Sequence, residues 1–226
     1  MLKDLKARRG YFLIHRLIDE GEHETQDFKF AIGDARKIAR SLSAFANNRG
    51  GWLLIGVKDN GAVAGVRNDE DMYVVEQAAQ LCCDPPQQVD FEAYRVEDGL
   101  IVIKAAIGAA ARRPVRVVEA DGRRRAYFRV ADENIVAHPL MVRAWLMQAD
   151  SADRPAAMFA LDDAASALLR AVTQATEPVP VDTLPLALHM SVSATGDLIV
   201  RLAAMGLIDF AYNGHTFGLV PKDAKD

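Results

Sequence analysis

The apolar positions of this chain switch between a helical and a strand-like rhythm, and turn residues mark the switches. Over residues 2–20, Leu13, Leu17 and Ile18 recur at helical spacing and predict a first helix. Residues 27–30 (DFKF) alternate and predict a short strand. Asp34 then caps a helix whose buried stripe is Ile38, Leu42 and Phe45, ending at the breaker NNRGG of residues 47–51. An unbroken apolar run follows, WLLIGV at 52–57, which predicts a buried strand. Asp59-Asn60-Gly61 predicts a tight turn into a returning strand at 62–66. Gly51 and Gly56 flank four residues in the manner of a phosphate loop, but Val57-Lys58-Asp59 stands where Gly-Lys-Ser/Thr is needed, so a P-loop is excluded.

A second helix is predicted at 68–83, with Met72, Val75 and Ala79 on one face and Pro85-Pro86 as its stop. Four strands follow at 89–96, 100–107, 115–119 and 124–130, joined in pairs by Asp98-Gly99 and Asp121-Gly122. A short helix at 139–147 closes a first domain of residues 1–150, and 149–157 is the candidate linker. Helices at 161–175, 181–188 and 193–205, then a hairpin at 207–212 and 216–220 around Asn213-Gly214, follow the order of a winged helix-turn-helix in a domain of 151–226. The fold class expected is α+β, a mixed sheet followed by a winged helix.

Half of the 226 residues are apolar and the mean hydropathy is near zero, a globular composition. No apolar run reaches the length of a membrane span, and the N-terminal apolar stretch before His15-Arg16 is too short for a signal peptide; a cytoplasmic protein with no membrane partner is expected. Cys82 and Cys83 are adjacent and offer neither a disulfide framework nor zinc spacing.

Net charge is −4, yet its distribution is uneven. Eight bases (Lys104, Arg112, Arg113, Arg116, Arg123, Arg124, Arg125, Arg129) stand against Glu119 and Asp121 between positions 104 and 129. From residue 151 onward five bases stand against nine acids. A basic cluster inside an acidic chain points to a polyanion site. On an extended strand Arg123, Arg125, Tyr127 and Arg129 share one face, suited to phosphates and base stacking, while Arg124, Ala126, Phe128 and Val130 face a core. The other reading is a charged edge strand that prevents aggregation. In the winged helix the third helix carries Arg201 as its only base, a poor groove reader better suited to dimerisation or partner docking.

The first domain resembles the Schlafen-type AlbA-like DNA-binding domain, over roughly residues 10 to 140. The resemblance rests on Gly21-Glu22, Asp27-Phe28-Lys29, SAFAN at 43–47, GGWLLIGV at 50–57, Asp59, Gly61 and YFRV at 127–130. It implies nucleic-acid binding, and bacterial members often carry a winged helix after it. Some nuclease members of the family have three carboxylates, which match Glu22, Asp27 and Asp59 here and imply a magnesium or manganese site. Asp27 departs from that pattern, where the family usually has glutamate. Taken by residue type alone, Asp59 is a turn residue, Glu22 a solvated acid and Lys29 an exposed strand charge.

Three functions follow as expectations. The first is a regulatory nucleic-acid-binding protein, of DNA or RNA, with transcription as the candidate process and a homo-oligomer formed through its second domain. Its contacts would be Lys29, Arg112, Arg113, Arg116, Arg123, Arg125, Tyr127 and Arg129, with no cofactor required. The second is a nuclease using Glu22, Asp27 and Asp59 with Mg or Mn. The third is an interaction module that touches no nucleic acid.

Overall fold

The computed structural model describes residues 5–30, 32–66, 70–151 and 161–222. The chain forms two compact units, Met1–Ala137 and His138–Asp226. The predicted helix start at residue 2 and the start of the second helix at 68 lie outside the described residues, as does most of the predicted linker.

The first unit runs β1 (Arg8–Arg9), α1 (Tyr11–Glu20), β2 (Gln26–Lys29), α2 (Ala35–Asn47), β3 (Gly51–Ile55) and α3 (Glu70–Gln77). It continues with β4 (Cys83–Asp84), β5 (Asp90–Arg95), β6 (Ile101–Ile107), β7 (Arg116–Val118), β8 (Arg124–Val130) and β9 (Glu133–Val136). One mixed sheet has the order β1-β5-β6-β3-β2, with β1 parallel to β5 and β2 parallel to β3. A second, antiparallel sheet has the order β4-β7-β8-β9.

Strand β3 explains its own composition. It is central, so Leu53 and Ile55 pack on α2 while Leu54 packs on the α1 side with Ile14, Phe28 and Val102. A strand covered on both faces reads as a continuous apolar run. The glycines before it are steric: Gly50 adopts φ +80°, and a Cβ on Gly51 would sit 2.6 Å from both Phe45 Cδ1 and Thr25 O. The returning strand predicted at 62–66 does not form. Lys58 to Ala62 makes a tight turn with a single bridge, Val57 to Val63, and β3 pairs instead with β6 and β2.

Helix α2 lies between the two sheets and has every residue from Ser41 to Asn47 buried. Asp34 caps it as expected, its carboxylate accepting from the Arg36 and Lys37 amides. Its buried polar side chains face the second sheet. Strands β7 and β8 pair only as far as Arg116 and Ala126. Beyond that point Ser43 and Asn47 fill the gap between Val115 and Tyr127. Asn47 Nδ2 donates to Val115 O and Tyr127 O, both at 2.8 Å, and its Oδ1 accepts from the Val115 amide at 2.8 Å. Ser43 Oγ accepts from the Tyr127 amide and donates to Val115 O. Asn48 exchanges two hydrogen bonds with the Arg129 backbone. The helix thereby continues a β-ladder with side chains.

The second unit contains α4 (Pro139–Ser151), α5 (Asp163–Gln174), β10 (Val179–Pro180), α6 (Leu184–Ala187), α7 (Val192–Ala204), β11 (Ile208–Tyr212) and β12 (Phe217–Pro221). Its sheet has the order β10-β12-β11, and Leu168, Leu184, Leu198, Ile199 and Leu219 are among its buried apolar residues. Helix α4, grouped with the first domain in the sequence reading, packs along α7. Among the described residues no single helix is long and apolar enough to cross a membrane.

Replacing Asn47 by alanine strips partners from three buried backbone groups at once. The expected loss is about 2–4 kcal/mol of unfolding free energy by urea denaturation, against a change within about 0.5 kcal/mol for the exposed Arg123→Ser.

Candidate functional site

Glu22 and Asp27 meet where the turn after α1 enters β2. Glu22 Oε1 accepts the Phe28 amide at 2.8 Å, and its carboxyl is hydrogen-bonded to that of Asp27. Partial burial, and then the Asp27 hydrogen bond, push the Glu22 carboxyl up to about 7. Asp27 is buried, which by itself would raise its carboxyl. The hydrogen bond from Glu22 and the charges of Lys29 and Arg129 outweigh that burial and hold it below the ordinary range. Below about pH 7 the pair therefore holds one proton, on Glu22.

The remaining lone pairs of Asp27 are taken. Lys29 Nζ lies 2.8 Å from Oδ2, Ser41 Oγ donates to Oδ2 at 3.1 Å, and Arg129 Nη2 lies 3.5 Å from Oδ1. Asp59 is exposed in the turn after β3. Among the described residues no three His, Cys, Asp or Glu side chains form a metal-binding group. A divalent ion at Asp27 would have to displace Lys29 Nζ and Ser41 Oγ from Oδ2.

Beyond Arg125 strand β8 is buried on both faces: Ala126 and Phe128 are buried as expected, and Tyr127 and Arg129, expected to be open, are buried as well. Register places Cys83, Val117 and Arg125 on one face, and alternation along β8 adds Tyr127 and Arg129 to it. That face packs on α2. Tyr127 is 6% exposed and Arg129 1% exposed, so neither is an accessible contact. Arg129 is bound on every side: Nε donates to His23 O, Nη1 to Asn134 Oδ1 and Nη2 to Gln26 O, and the guanidinium stacks 5.1 Å from the Phe45 ring centroid. Tyr127 donates to Glu119, which also accepts a two-point hydrogen bond from Arg40. That Arg40 pairing holds the Glu119 carboxyl low, while burial followed by the Glu119 contact pushes the Tyr127 phenol up to about 12.

Of the other predicted contacts, Lys29 is half-buried on Asp27, and Arg113 Nη1 donates to Asn47 O at the end of α2. Arg112 and Arg123 are exposed, and Arg116 and Arg125 half-buried. Arg123 and Arg125 lie 3.8 and 2.9 Å from Asp121. Arg124, assigned to the core by alternation, is exposed beside Arg116 on the outer face, with Nε 3.3 Å from Asp84. Three consecutive arginines contain no periodicity that could have identified it.

The model of the family described as Schlafen, AlbA_2 matches residues 22–138. The chain belongs to this family. The match opens at the Glu22–Asp27 pair and spans every strand of the first unit's two sheets except β1, including the α2 clamp on β8. Among solved structures, the Schlafen, AlbA_2 chain resembles the DIP2311 protein of Corynebacterium diphtheriae at 22% identity over 88% of its length, with a TM-score of 0.44. It spans 34% of that protein's length. The N-terminal domain of a RecG-related protein from Nitrosomonas europaea matches 58% of this chain and 96% of its own, at 19% identity and a TM-score of 0.42. No curated protein matches the chain.

Two outcomes test this site. Arg129→Ser takes a donor from the carbonyls of His23 and Gln26 and removes one of the charges beside Asp27, and it is expected to cost about 3–5 kcal/mol, measured by denaturant melts; a neutral result would return Arg129 to the surface. For Glu22, the folded group keeps its proton up to about 7, whereas its ordinary value is 4.5. The folded state binds the extra proton in that window, so Glu22 makes stability fall as pH rises through it. Glu22→Gln keeps both hydrogen bonds and is expected to flatten that slope; an unchanged slope would remove the proton from Glu22.

Proposed function

We propose that this protein binds nucleic acid through the outer edge of the β7–β8 hairpin and the loop leading into it, without a required cofactor. The observation that carries the reading is the exposure of Arg112, Arg123 and Arg124, with Arg116 beside them, while Glu119 in the same segment is buried against Arg40. Phosphate neutralisation by clustered arginines gives sequence-independent, salt-sensitive affinity. Membership of the Schlafen, AlbA_2 family agrees with this reading. Tyr127 and Arg129 drop out of the contact set and Arg124 enters it.

The second unit reads as a winged helix, with β11 and β12 as the wing and α7 in the position of the groove-reading helix. Its charges do not suit that task. Arg201 lies 3.6 Å from Asp162, and Asp197 accepts from Arg143 at 2.6 Å. A regulatory protein whose second unit docks a partner or a second copy fits these pairings better than one that reads DNA with α7. The nuclease reading has the Glu22–Asp27 pair in its favour and the engagement of Asp27 against it.

Four arginines on phosphates give a log–log salt slope of about −3 to −4 on duplex DNA, measured by fluorescence anisotropy with labelled DNA and RNA. Arg116→Ser, Arg123→Ser and Arg124→Ser together are expected to remove most of that slope with the fold retained. Asp121→Asn keeps the turn and removes a competing charge, so it is expected to tighten binding. Salt-independent binding, or full affinity in the triple variant, would place the interface elsewhere; manganese-dependent cleavage abolished by Glu22→Gln would favour the nuclease.

A further inference from the structure

The second unit contains a cavity of about 300 Å³ between the start of α4, the segment before α6 and the first turns of α7. Leu140, Val181, Pro185, Val192 and Ile199 give it apolar walls. At this volume it can seat a molecule of roughly ten heavy atoms.

Thr195 lines the cavity and is 1% exposed, and among the described residues its Oγ1 has no hydrogen-bond partner. A helical threonine ordinarily returns its hydroxyl to the carbonyl one turn back. This one does not, and a buried unpaired hydroxyl is costly. Ile199, one turn on, is equally buried, so this end of the cavity is its inner wall. The mouth is marked by Val192, which is 77% exposed, and by the exposed Asp182.

His138 also lines the cavity. Its Nδ1 accepts the Leu140 amide at 3.2 Å, which leaves the proton on Nε2. Burial pulls the imidazole below its ordinary range, only partly offset by Asp182, so it is neutral near pH 7. Phe210 and Phe217 flank it, at 5.9 and 5.1 Å between ring centroids. Among the described residues that line the cavity Asp182 is the charged one, and Arg143, near Gly196, is paired with Asp197. Anions are therefore disfavoured.

From these contacts we infer that the cavity is a small-molecule site for a compact apolar amine that carries a hydroxyl, the hydroxyl paired with Thr195 at the inner end and the amine near Asp182 at the mouth. This goes beyond the nucleic-acid reading and uses none of its residues. A ligand there would bridge α4 and α7, and it would satisfy the one polar group of the inner wall that the chain leaves unpaired.

The test uses the full chain and three probes followed by methyl NMR: tyramine, phenethylamine, which lacks the hydroxyl, and 4-hydroxyphenylacetate, which replaces the amine by an anion. Tyramine is expected to shift the Val192, Thr195 and Ile199 methyls saturably, and each of the other probes to bind roughly tenfold more weakly for the lost polar contact. Thr195→Val, which keeps the shape, is expected to equalise tyramine and phenethylamine. Asp182→Asn, at an exposed position, is expected to equalise tyramine and the anion. No saturable shift up to about 10 mM, shifts confined to other parts of the chain, or an undiminished tyramine preference in Thr195→Val would each overturn the site.

Discussion

The first unit depends on three polar side chains of a buried helix. Ser43, Asn47 and Asn48 bond to the backbone of Val115, Tyr127 and Arg129 where β7 and β8 part company. A buried amide or carbonyl without a partner costs about 1–3 kcal/mol, so a strand that loses its neighbour inside a protein needs a substitute. The helix supplies it. By holding β8 against α2, these bonds also bury the face that carries Tyr127 and Arg129. Arg129 then ties β8 back to the start of β2, through His23 O and Gln26 O, and adds its charge to the field that keeps Asp27 ionised.

Much of this architecture was legible from the residues. The breaker at 47–51, the apolar run of β3 and the Asp34 cap are local signals, and each stands where the pattern placed it. Pairing was not legible in the same way. Asn60-Gly61 does form a turn, but whether a turn grows into a hairpin is decided by competition for the strand edge, and here β6 and β2 hold both edges of β3. Period-2 alternation sorted the residues of β8 into two faces and placed Ala126 and Phe128 in the core, but it could not show that the other face is buried too. Charge suggested that the arginine face is outer, and this fails where a buried guanidinium finds acceptors on all sides. The available signal was in α2: Ser43 and Asn47, one turn apart among Leu42, Ala44, Phe45 and Ala46, had to be hydrogen-bonded to something.

The candidate site was legible as a set of residue types but not as an arrangement. Glu22 and Asp27 come together because β2 follows α1 after a short turn, a near-neighbour relation that spacing captures. Their coupling to Ser41 and Arg129 crosses the sheets and does not show in the sequence. The second unit behaves similarly. Its order of elements was readable, whereas the cavity draws on three separated segments, and the missing partner of Thr195 is a property of packing alone.

The complete burial of α2 from Ser41 to Asn47 has a kinetic meaning. From Ser41 onward the helix has no solvent-facing stripe and little reason to form by itself, since Ser43 and Asn47 find partners only when β7 and β8 are in place and the apolar residues only when β3 and β6 are. Neither sheet of the first unit can open far without exposing it. Amide hydrogens in α2 are thus placed to exchange with solvent through loss of the whole unit and not through local fraying. Proteolytic nicking or chain truncation inside either sheet would then unravel the other, leaving no smaller fragment that persists as a folded piece.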